Sequence, residues 1–127
     1  MVPSVTWILS HEVQTSRRYL RYLSIVLVAP GKDTNGKLHR TLSESFRDCD
    51  VMVPVNGHTA VILSETDREG ALRAIGRCRK ALKASDASFS TASFPTDAHD
   101  AAGLLKTAVL RLERAQQGER AGVVADG

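Results

Sequence analysis

Cysteine, aromatic residues and long apolar runs are all scarce in this 127-residue chain. Its two cysteines, Cys49 and Cys78, have neither a CxxC nor a zinc spacing, so they read as reduced, partly buried thiols. The four histidines (His11, His39, His58 and His99) form no pair at i,i+3 or i,i+4, and no metal or other cofactor is expected. Aromatics make up 5% of the residues, which argues against a platform for stacking successive bases. The longest apolar run, Ile25–Pro30, is too short to cross a bilayer, so no membrane association is expected. No basic segment followed by an apolar one opens the chain, and a cytoplasmic location is expected. A net charge of +3 does not call for an acidic polymer as partner. The basic groups Arg17, Arg18, Arg21 and Arg77-Cys78-Arg79-Lys80 read as solvated helix faces, and nucleic acid is not an expected partner.

What is present is the composition of one soluble domain, 43% hydrophobic and 24% charged. Pro3-Ser4 starts a helix whose stripe is Val5, Ile8, Leu9, Val13, Leu20 and Leu23, with residues 1–22 as an N-terminal helical segment. "LSIVLVAP" is β-branched and continuous, which predicts a central strand covered on both faces. After the turn-rich "PGKDTNGK", Leu38, Leu42 and Phe46 mark a short helix. Two strands, Val51–Val55 and Thr59–Ser64, flank Asn56-Gly57-His58, a hairpin signal. Asp67 is placed to cap a helix with the stripe Leu72, Ile75, Cys78 (or Arg79) and Leu82. "ASFSTASF" alternates weakly and reads as a strand, and Asp100 caps a last helix with Leu104, Leu105, Ala108, Val109 and Leu112 facing in. "GVVAD" reads as a short edge strand.

The order is helix, β-α-β-β-α-β, helix. This predicts an α+β fold, an α/β sandwich with a ferredoxin-like βαββαβ core. Its antiparallel sheet carries helices on one face, with extra N- and C-terminal helices. A single domain over 1–127 is expected, with the N-terminal helix in 1–22, the core in 23–94, and the last helix and edge strand in 95–127.

Several strings, taken in order, resemble the GGDEF domain, the bacterial diguanylate cyclase module that joins two GTP molecules into cyclic di-GMP. "SRRYLRYLSIVLVA" resembles the family's first helix and strand, and "SFRDCDVMVPV" the segment before its active hairpin. "VILSETDREGALRAIGRCRKAL" resembles the strand and helix after that hairpin. "FSTASFPTDAHDAAGLLKTAVLRLERAQ" and "GVVAD" resemble the last strand, helix and closing strand.

The departures fall on the catalytic parts. Cyclase chemistry needs carboxylates that hold two magnesium ions against the triphosphate. The family places one at the end of the first strand, where this chain has Val28-Ala29-Pro30. The family's acidic Gly-Gly-Asp/Glu-Glu tip is replaced by Asn56-Gly57-His58, and the helix and loop that read guanine after the first strand are missing. The resemblance therefore implies a degenerate, catalytically inactive domain with no catalytic residues. What survives is Arg-x-x-Asp, the family's product-inhibition motif: Arg47-Asp48-Cys49-Asp50 is followed by five residues and then Asn56, the spacing of the motif. Alignment on the helix after the hairpin places Arg77 as the third member of that site, with Arg79 as the fallback. Arg binds phosphate or the guanine O6/N7 edge, and Asp accepts from guanine N1 and N2. The same residues have plain structural uses: Asp50 as a turn residue, Arg47 at a negative helix end, Arg77 as a surface charge.

Two functions follow as expectations. One is a signalling or regulatory domain that binds cyclic di-GMP through Arg47, Asp50 and Arg77. The other is a nucleotide-independent protein-interaction or dimerisation module, with the N-terminal helix as the pairing element and Ile8 as its probe. An enzyme built on Cys78 and His58 has no supporting spacing.

Overall fold

The central strand is the one whose sequence is apolar without interruption. β1 (Leu23–Ala29) is buried at every residue, because its alternate side chains feed two separate cores. The computed structural model describes residues 5–30, 37–46, 51–55, 57–82, 87–117 and 123–124. Around β1 lie α1 (Val5–Tyr19), α2 (Lys37–Ser45), β2 (Val51–Val55), β3 (His58–Ser64), α3 (Arg68–Leu82), β4 (Ser88–Phe94), α4 (Ala101–Gln117) and β5 (Val123–Val124). The sheet order is β2-β3-β1-β4-β5. β1 runs antiparallel to β3 and β4, β2 antiparallel to β3, and β5 parallel to β4. The inner six elements are the expected split βαβ arrangement. Pro54 is tolerated in β2 because that strand is an edge, where a missing amide donor breaks no necessary ladder bond.

Helices cover both faces of the sheet. Val26 and Val28 of β1 pack with Leu42 and Phe46 of the α2 region and with Ala71, Ala74, Ile75 and Cys78 of α3. Leu23, Ile25 and Leu27 pack on the opposite face with Val5, Leu9 and Val13 of α1 and Leu104, Ala108 and Leu112 of α4. The expectation of one helical face holds for the inner pair, α2 and α3; α1 and α4 form the second layer.

Three apolar stripes are corrected. α1 buries Val5, Leu9, Val13 and Ser16 but ends at Tyr19, short of Tyr22. Leu20 takes a left-handed backbone, φ 55°, and Arg21 N–H donates to the Ser16 carbonyl at 2.8 Å. This is a Schellman stop with leucine where glycine is usual, and Leu20 is thrown outward, 93% exposed, rather than into the stripe. In α3 the buried face is Ala71, Ala74, Ile75 and Cys78, while Leu72 lies outside it. In α4 Val109 is exposed and Arg111 is buried. The side chains of Leu38 and Leu82 lie outside the described residues.

Both predicted caps form. Asp67 Oδ1 accepts from Gly70 N–H at 2.8 Å and Asp100 Oδ1 from Gly103 N–H at 2.7 Å, each satisfying an N-terminal amide that the helix leaves open. β4 is buried on both faces although its sequence is half hydroxyl. Three of the four hydroxyls are paired: Ser90 donates to the Ala108 carbonyl, Thr91 to that of Ile25, and Ser93 meets Ser24 at 2.7 Å. Unpaired, each would carry a desolvation penalty of ~1–3 kcal/mol.

The turn after β4 holds a polar tie between α3, β4 and α4. Asp97 Oδ1 accepts from Arg68 of α3 at 2.8 Å and from Arg111 of α4 at 3.0 Å, and Oδ2 accepts from Ser93 N–H at 2.8 Å. Arg111 also donates to the Thr91 carbonyl at 2.9 Å. Burial alone would raise the Asp97 pKa. Hydrogen bonds from Arg111 and Ser93 and the charges of Arg111 and Arg68 overcome it and hold the carboxyl below its usual value.

Candidate functional site

Of the three residues expected to bind a ligand, Arg77 lies among the described residues, on the exposed side of α3. Arg47 and Asp50 lie outside them, as does Asn56 of the hairpin. Arg77 lines a cleft of about 430 Å3 between the end of α2, the start of β1, the β3–α3 turn and α3. That volume is within the ~300–1,000 Å3 usual for small-molecule sites. Phe46, directly before Arg47 in sequence, lines the same cleft.

The cleft is built by local chemistry. Arg73 and Arg77 are four residues apart on α3, so both side chains emerge on one face. Arg77 approaches the Ser45 carbonyl at 3.4 Å, a long and weak contact. The same cleft is lined by Tyr22, 52% exposed, and by Glu65 and Asp67. Glu65 sits at φ 54°, a left-handed conformation that non-glycine residues rarely adopt. It forms an ion pair with Arg21, one residue after left-handed Leu20. The two non-glycine residues with positive φ among those described are thus linked through the Arg21–Glu65 ion pair, and such backbone costs about 1–3 kcal/mol each. At the floor, a Cβ on Gly70 would lie 2.8 Å from Thr66 Cγ2, so glycine keeps this turn closed.

Sequence reasoning did not pick out Tyr22, Glu65 or Arg73. Arg73 carried a signal, because it falls at i−4 from Arg77; Tyr22 and Glu65 carried none, since only the β1–β3 pairing brings their ends of the chain together. Arg79 is exposed on α3 but does not line this cleft.

The hairpin corner offers different chemistry. Gly57 takes φ 83°, the turn conformation that its sequence predicts, and His58 opens β3 opposite Val55. Val28 pairs with Thr59, so the end of β1 lies beside the hairpin with valine, alanine and proline and no carboxylate. His58 Nδ1 has no hydrogen-bond partner among the described residues. Cys78 is buried in the α2–α3 core, where desolvation raises its pKa despite a hydrogen bond with Ser45. The thiol stays protonated at neutral pH and is a poor nucleophile.

A second, apolar groove of about 340 Å3 lies beyond Tyr22, lined by Ser16, Arg17, Leu20, Arg21, Phe94 and Pro95. Leu20 and Tyr22 line it and are exposed, as is Tyr19, the residue before Leu20. The basic face of α1 is partly tied down: Arg17 donates to the His99 carbonyl, and Arg21 pairs with Glu65 while lying 5.3 Å from the Tyr19 ring centre. Ile8 is partly buried and packs against the core, so it is a fold residue rather than a probe of pairing. No helix among the described residues is long and apolar enough to cross a membrane.

No family model matches the sequence, and no curated protein does. Solved structures do match. The GGDEF domain of YfiN from Pseudomonas aeruginosa superposes with a TM-score of 0.86 at 16% identity, over 96% of this chain and 92% of that one. The active GGEEF domain of a diguanylate cyclase from Vibrio cholerae gives 0.78 at 15% identity, over 95% and 93%. The diguanylate cyclase SiaD from Pseudomonas aeruginosa, solved in complex with its activator SiaC, gives 0.80 at 15% identity, over 96% of this chain and 56% of that one. At these identities the likeness establishes the fold alone, an α+β architecture shared with these GGDEF domains.

Proposed function

We propose that this chain is a catalytically inactive GGDEF-like signalling domain that binds cyclic di-GMP as a receptor. The observation that carries the reading is the cleft at Arg77, lined also by Phe46, which Arg47 follows directly in sequence and Asp50 three residues after that. Arginine suits both targets that a cyclic dinucleotide offers, the phosphodiester and the purine edge. Inactivity is supported by the composition of the opposite corner: Val28-Ala29-Pro30 and Asn56-Gly57-His58 supply no carboxylate where two magnesium ions would need several. Titration calorimetry with cyclic di-GMP tests the receptor role, and silence at tens of micromolar ligand with folded protein refutes it. Incubation with GTP and magnesium tests inactivity, and any cyclic di-GMP formed refutes that part alone.

One observation favours a second reading, a protein-interaction module independent of nucleotide. Tyr19, Leu20 and Tyr22, next to an apolar groove, are large side chains that no element among the described residues covers. SiaD, which shares the fold, was solved with a protein activator. Light scattering of wild type and Leu20→Ser discriminates for self-association: two identical monomers refute pairing through this surface.

A further inference from the structure

We infer that the cleft holds one guanylate half of cyclic di-GMP, with Tyr22 as the stacking platform for its base, Glu65 as the acceptor for its guanine edge, and Arg73 as a second phosphate anchor beside Arg77. The inference rests on the receptor reading and adds the residues that give it affinity and base selectivity.

Three observations converge. First, α3 divides its arginines between two tasks. Arg68 is held by Asp97, whereas Arg73 and Arg77 form no ion pair among the described residues and both line the cleft. Two guanidinium groups one helical turn apart on one face suit a phosphodiester. Second, the same cleft is lined by an aromatic residue, Tyr22, that is 52% exposed. Scarcity of aromatics excludes a platform for a run of bases, but one ring suffices for one base. Third, Glu65 stands on left-handed backbone and pairs through Oε1 with Arg21. A carboxylate there accepts from guanine N1–H and N2–H; adenine presents an acceptor at N1 and would be repelled. Backbone strain at a pre-positioned polar group is a common mark of a binding site.

Calorimetry on the full chain tests this with cyclic di-GMP against wild type, Tyr22→Ala, Tyr22→Phe, Arg73→Ala and Arg77→Ala, each checked for folding by circular dichroism. Tyr22→Ala should weaken binding by about 5- to 150-fold, the range for loss of one stacked base. Tyr22→Phe keeps the ring and should bind close to wild type. Arg73→Ala should weaken binding at least about tenfold, as expected for one charge-assisted contact. Cyclic di-AMP should bind wild type at least about tenfold more weakly than cyclic di-GMP. If wild type binds and Arg77→Ala does not, while Tyr22→Ala and Arg73→Ala bind as wild type, this inference is overturned and the receptor reading stands. Equal affinity for the two cyclic dinucleotides overturns the role of Glu65. Absence of binding to wild type overturns both readings.

Discussion

Replacing Asp97 by asparagine should be the most damaging conservative change in the described fold. The carboxylate is almost fully buried, 5% exposed, and faces Arg111, whose side chain is 6% exposed, and Arg68 at 37%. Asparagine keeps an oxygen for one donor but removes the negative charge, leaving Arg111 as a buried cation without its counter-ion. Breaking a buried pair from one side costs ~3–5 kcal/mol, and the surviving acceptor sets the expectation at the lower end, about 3 kcal/mol. A domain of this size has ~5–15 kcal/mol in total, so a large share of its stability is at stake. With ~2.1 cal/mol/K of unfolding entropy per residue, the melting temperature should fall by about 11 °C. The pH dependence gives an independent check. The folded pKa of Asp97 is depressed, so its contribution is fully present above the unfolded value of ~3.9 and is lost as pH falls through the lower folded value. Wild type should therefore lose stability toward acid more steeply than Asp97→Asn. Urea unfolding followed by circular dichroism at neutral and acidic pH measures both. A loss under about 1 kcal/mol at neutral pH, or parallel acid profiles, would refute the account of this cluster.

Two substitutions should stabilise the protein. Leu20→Gly relieves a left-handed leucine and removes a side chain that is 93% exposed, and should add about 1 kcal/mol in thermal or urea unfolding. Gly76→Ala lies on the exposed side of α3, where an added Cβ meets nothing within 4 Å, and should add ~0.5–1 kcal/mol through helix propensity.

The sequence announced the scaffold through short-range signals. The β-branched run of β1, the capping aspartates at 67 and 100, and the turn glycine Gly57 each act within a few residues, and each forms as its chemistry directs. Long-range pairing was hidden. Arg111 stands where the α4 stripe calls for an apolar side chain, and only the fold brings Asp97 and the Thr91 carbonyl to it. Leu20 fits the periodicity of α1, yet the helix stops one residue before it. The site divides in the same way. Arg77 was found by alignment to a family pattern, and Arg73 was within reach of helical spacing. Tyr22 and Glu65 are 43 residues apart in sequence, and no local pattern connects them.

The central claim is that the Arg77 cleft binds cyclic di-GMP, and calorimetry of wild type beside Arg77→Ala tests it most directly. The account predicts saturable heat for wild type and a loss of about 10- to 150-fold in affinity for the variant, the worth of one charge-assisted hydrogen-bonded contact. Binding unchanged by Arg77→Ala, or no binding to folded wild type, would contradict it.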